Sequence, residues 1–85
     1  MKKLNYNKAR KFYNEAKLFV KENGYPTNVP KAFWELYVMV GHFSVKFKRT
    51  PNEDEYELMI SLFPEEEQKE IRKFSLLVQE TLDGE

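Results

Sequence analysis

The chain has 85 residues, enough for a single domain over 1–85 with one two-layer core and too few for two. A hydrophobic content of 41% with 15% aromatic residues marks a folding chain, and the absence of cysteine excludes a disulfide scaffold, a thiolate metal site and a thiol nucleophile. The formal net charge is zero but unevenly spread: residues 1–49 carry 11 Lys and Arg against three acids, net +8, and residues 50–85 carry three bases against 11 acids, net −8.

A basic half suits nucleic acid or an acidic partner, yet two halves of opposite sign also neutralise each other within one fold. The second reading is preferred, because a chain that needs a polyanion usually carries net positive charge. The N-terminal lysines are followed by no apolar run, and no stretch approaches the length of a membrane span. The expectation is a cytoplasmic protein with no membrane contact.

Residues 6–22 are predicted to form a helix. Tyr6, Ala9, Phe12, Tyr13, Ala16, Phe19 and Val20 fall on one arc at 3.6 residues per turn, Asn5 or Asn7 caps the start, and Gly24 ends it. Its polar side carries an uninterrupted basic flank of Arg10, Asn14, Lys17 and Lys21. Residues 24–31, GYPTNVPK, hold two prolines and read as a connector.

From Phe33 to Leu62 apolar residues recur at every second position, the pattern of a half-buried sheet: Trp34, Leu36, Val38, Val40; then Phe43, Val45, Phe47; then Tyr56, Leu58, Ile60, Leu62. With Gly41 and His42 as a two-residue hairpin turn, Val40 faces Phe43, Val38 faces Val45 and Leu36 faces Phe47. The same register sets Glu35 against Lys48 on the solvent face, a pairing worth roughly 0.2–1 kcal/mol. Residues 50–54, TPNED, carry turn chemistry. The competing reading for residues 29–40 is a helix, since Asn28 and Pro30 suit a helix start and FWELYVMV is apolar enough to be a buried one.

Pro64 and then Glu65, Glu66 and Glu67 open a last helix over about 64–82, with Ile71, Phe74, Leu77, Val78 and Leu82 as its buried arc and residues 83–85 as a fraying tail. The expected fold is therefore α+β in the order α-β-β-β-α, a three-stranded antiparallel meander with two helices packed on one face. The alternative is α-α-β-β-α, with residues 29–40 helical.

No recognisable catalytic motif emerges. The three glycines are isolated, so no phosphate-binding loop exists; His42 stands alone in a predicted turn without a second metal ligand nearby; Ser44 and Ser61 have no base placed by any motif. The acids at 65–67 are what a helix dipole favours. Neither enzyme nor cofactor is expected.

The more informative surface is the outer face of the sheet, where Tyr37, Met39, Met59 and Phe33 form an exposed apolar patch suited to a protein partner. The first strand would also lie at an edge with one charge in eight residues, which invites pairing with a second chain. The leading expectation is a non-catalytic protein-binding module, self-association included. A nucleic-acid-binding domain is the alternative, using Arg10, Lys17 and Lys21 with a basic hairpin of Lys46, Lys48 and Arg49.

The order α-β-β-β-α is similar in outline to the double-stranded RNA-binding domain, which would imply contacts from the first helix, the loop between the first two strands and a basic start to the last helix. The first helix is suitably basic; the two-residue loop and Glu65–Glu67 depart from that pattern, and the family is not assigned. If residues 29–40 are helical, the chain looks more like a winged-helix arrangement, which favours nucleic acid.

Overall fold

A computed structural model describes residues 4–83, with side chains described through Gln79. It contains four helices: α1 (Tyr6–Asn23), α2 (Lys31–Phe47), α3 (Glu53–Ser61) and α4 (Glu65–Asp83). Among the described residues there is no strand, and no helix is long and apolar enough to cross a membrane.

The expected three-stranded meander is therefore overturned, and the alternative α-α-β-β-α fails with it, because residues 43–47 and nearly all of 56–62, strands in both readings, are helical; the meander's first turn was expected at Gly41 and His42. Those two residues lie inside α2. Their segment is apolar at nearly every position, so a period of two and a period of 3.6 fit it equally well. The buried residues Ala32, Glu35, Leu36, Met39 and Phe43 follow the helical spacing. Pro30 immediately precedes the helix, and Lys48 ends it in the left-handed conformation, its N–H donating to Ser44 O at 2.8 Å.

The segment read as a turn and third strand is likewise a helix start. Asn52 caps α3: its side chain accepts from the Glu55 N–H, and the Glu55 carboxylate accepts from the Asn52 N–H, each at 2.9 Å. Glu53, Asp54 and Glu55 oppose the positive end of the dipole. At the other end of the chain, α1 begins on Asn5, whose side chain accepts from the Lys8 N–H at 2.9 Å. It ends on Gly24 at φ 79°, a backbone angle that favours glycine.

Helices α1 and α2 form an antiparallel hairpin. Phe12 meets Phe43 and Phe47 edge-on at centroid distances of 6.4 and 6.3 Å, while Lys17, further along α1, reaches Glu35 near the start of α2. Ala9 and Ala16 are fully buried, and their small side chains let the neighbouring helices close on α1. Helices α3 and α4, with the link between them, complete the core with Met59, Ile60, Phe63 and Ile71. A forked Arg72–Glu57 contact at 2.8 and 3.1 Å joins α3 to α4 at the surface.

The buried arc expected of α4 holds at Ile71 and, half-buried, at Phe74. It stops there, because Leu77 and Val78 are exposed. The Leu82 side chain and the tail at 84–85 lie outside the described residues.

Candidate functional site

The patch expected on an outer sheet face does not exist as a unit. Met39 and Met59 are both 0% exposed and sit among Phe43, Leu36 and Ile71 in the core, because a helix at 3.6 residues per turn sends Met39 to the opposite side from Tyr37. Phe33 and Tyr37 remain near one another on α2. Phe33 is half-buried, its ring edge-on to Phe74 with centroids 4.7 Å apart; Tyr37 is 58% exposed and stacks on Trp34 at 5.0 Å. Both line a groove of about 330 Å³ between α2, α3 and α4, with Val40, Tyr56, Ile60 and Ser75.

The outer side of α2 continues from Tyr37 through Gly41 to Val45, which is 81% exposed. Val38 and Ser44, partly exposed, flank this line. Between Ala32 and Val45 the one carboxylate is Glu35, which is buried, and His42 turns aside to Glu15 at 3.3 Å. The outward side of the helix therefore presents apolar and small residues and no formal charge over about three turns.

The six basic residues expected to act together are separated by the fold. Lys17 is held 2.9 Å from Glu35 and 3.6 Å from Glu67, over the rings of Tyr13 and Phe63. Burial of its ammonium group works against the charge, but the Glu35 hydrogen bond and the surrounding negative charges outweigh it and raise the Lys17 pKa above the ordinary value. Glu35 is thus no surface partner of Lys48. Its second oxygen, Oε2, is buried and accepts no hydrogen bond among the described residues. Glu67, in the first turn of α4, is the second acid at Lys17.

Arg49 is equally committed. Its two terminal nitrogens donate to the two Glu55 oxygens, both at 2.8 Å, and its guanidinium lies 4.9 Å over the Phe43 ring. The Arg49 hydrogen bonds, with further donation from the Asn52 and Leu4 N–H groups, lower the Glu55 pKa to about 2 despite its burial. This clamp ties Leu4, just ahead of α1, and the α2–α3 connection to the start of α3.

Arg10, Lys21, Lys46 and Lys48 are exposed. Of these, Lys46 lines a depression of about 350 Å³ with Lys8, Lys11, Phe12, Glu15, His42 and Val45. Lys8 and Lys11 were not singled out from the sequence. Reading 43–47 as a helix would have brought Lys46 and His42, four residues apart, to one side beside α1. Among the described residues no three His, Cys, Asp or Glu side chains are placed to hold a metal ion.

No known family model, curated protein or solved structure matches this chain.

Proposed function

We propose that the chain is a non-catalytic protein-binding module whose recognition surface is the outer side of α2 and the groove beside it. The observation that carries this reading is a central helix that buries its only carboxylate and exposes Tyr37 and Val45 to 58% and 81%. Burying Glu35 while exposing apolar residues on the same helix is unfavourable for an isolated molecule. It suits a surface whose centre is apolar and whose rim is charged, as protein interfaces are. Tyr37 stacked on Trp34 is a rigid aromatic anchor of the kind that dominates binding energy.

Nucleic-acid binding is the second reading, supported by Lys8, Lys11 and Lys46 around one depression. It ranks lower because Glu15 shares that depression and because Lys17 and Arg49 are engaged by Glu35 and Glu55.

The test is co-purification of protein partners by the wild type and by Tyr37→Glu and Val45→Glu, beside titrations with duplex DNA, duplex RNA and single strands. The expected outcome is a protein partner, either another copy or a different chain, that both substitutions release. Micromolar nucleic-acid binding that weakens on changing Lys8, Lys11 and Lys46 to Glu would replace this reading with the second one.

A further inference from the structure

Gly41 has no reason within the fold to be glycine. It lies in the interior of α2 with no positive φ, and an added Cβ would meet no heavy atom within 4 Å. A glycine at such a position destabilises a helix relative to alanine. At 3.6 residues per turn it lies about 180° around the helix from the buried line of Ala32, Met39 and Phe43, at the centre of the exposed apolar side. Tyr37 precedes it by four residues and Val45 follows it by four. A missing side chain flanked by larger apolar ones is a shallow seat in which another helix backbone can approach closely.

We propose that this seat is filled by the same helix of a second copy, two α2 helices crossing antiparallel about a two-fold axis at Gly41. This rests on the protein-binding reading above and names its partner. The sequence around Gly41 complements itself under that operation: position 37 lies across from 45 of the other copy, 38 from 44, and 34 from 48. Tyr37 thereby covers the exposed Val45 of the other copy, and Lys48 comes over Trp34, an attractive arrangement of a cation and an aromatic face. No two like charges are brought together along the seam, and the zero formal charge of the chain removes net repulsion between copies. A symmetric pair of this kind is also the commonest way for a chain to associate.

The size of the seam sets the affinity. A 17-residue helix is about 25 Å long. A seam of one such helix per copy falls below the roughly 800 Å² per partner of a standard stable interface, so the pair forms in a concentration-dependent way, in the micromolar range.

The experiment is sedimentation equilibrium of the full chain from about 1 to 500 µM, with Gly41→Leu and Tyr37→Glu compared at each concentration. Because the space over Gly41 is open in the single copy, Gly41→Leu should keep the helical circular dichroism of the wild type while weakening the dimer tenfold or more. The absence of native cysteine permits a register test: when Tyr37→Cys and Val45→Cys chains are mixed and oxidised, the mixed disulfide should exceed either like-with-like product. A chain that stays monomeric at the highest concentration overturns the proposal. So does a dimer that Gly41→Leu leaves unchanged. A monomer that still captures a different protein through Tyr37 and Val45 overturns only the self-pairing, whereas loss of both removes the protein-binding reading as well.

Discussion

Lys17 on α1 and Glu35 on α2 meet at 2.9 Å with the carboxylate side chain 2% exposed, so the α1–α2 hairpin is pinned by an ion pair at one end and by Phe12, Phe43 and Phe47 at the other. Glu35 is the buried member and Lys17 the part-exposed one, so removing Lys17 leaves the buried carboxylate without compensation. Lys17→Met is expected to destabilise the protein by about 3 kcal/mol, while Lys17→Met combined with Glu35→Leu should recover most of that loss. Urea unfolding of the two variants and the wild type checks the prediction; equal losses in the single and double variants would show that the pair is not what holds this end.

Glu55 should give stability a defined acid limb. Its pKa falls from the ordinary 4.5 to about 2 in the folded chain, mainly through the Arg49 hydrogen bonds. Below 4.5 the unfolded chain binds a proton at this site that the folded chain does not, so the contribution is fully present above 4.5 and is lost as pH falls through the window toward 2. Glu55→Gln is expected to cost about 2 kcal/mol at neutral pH, as loss of hydrogen bonds to a charged group does. The gap between variant and wild type should narrow as pH is lowered from 5 to 2 in denaturant titrations. A gap that stays constant with pH would contradict it.

Met39 and Tyr37 separate the helical and the strand reading of residues 32–40. A strand puts both on one face; α2 puts Met39 in the core and Tyr37 in solvent. Met39→Ala should therefore destabilise by about 3 kcal/mol and Tyr37→Ala by about 0.5 kcal/mol or less at concentrations where the chain is monomeric. Thermal or urea unfolding measures both.

The cationic depression around Lys8, Lys11 and Lys46 is expected to give no more than weak non-specific attraction to nucleic acid, with dissociation constants near 100 µM at physiological salt. Fluorescence anisotropy with labelled duplexes and single strands at 50 and 200 mM salt tests this, and a steep fall of micromolar affinity with salt would count against it.

The terminal helices were legible in the residues because each shows one apolar arc against a polar background; Ala9, Phe12, Ala16 and Val20 of α1 and Ile71 of α4 are buried and Phe74 is half-buried, while Tyr6 and Phe19, expected on the α1 arc, are exposed. The ends of α1 were also announced, by Asn5 or Asn7 at the start and Gly24 at the end, through side-chain and backbone chemistry that needs no neighbour; the cap is Asn5. The start of α3 is written in the spacing of Asn52 and Glu55, but residues 50–54 read as a turn because the alternation of Tyr56, Leu58, Ile60 and Leu62 after them suggests a strand.

Packing alone decided the middle of the chain and the surface it offers. Residues 32–45 are apolar on nearly every side, so local pattern cannot say which third of them faces the core; Val38, Val40 and Val45 favour a strand on propensity, and the interior Gly41 disfavours a helix. The choice comes from partners distant in sequence: α1 brings Lys17 to Glu35, α3 and α4 bring Met59 and Ile71 into the core with Met39, and the Arg49–Glu55 clamp starts α3 where a turn was expected. Once those contacts select one line of α2 for the core, 3.6 residues per turn places Tyr37, Gly41 and Val45 opposite it, and the exposed apolar side follows from burial elsewhere rather than from any motif.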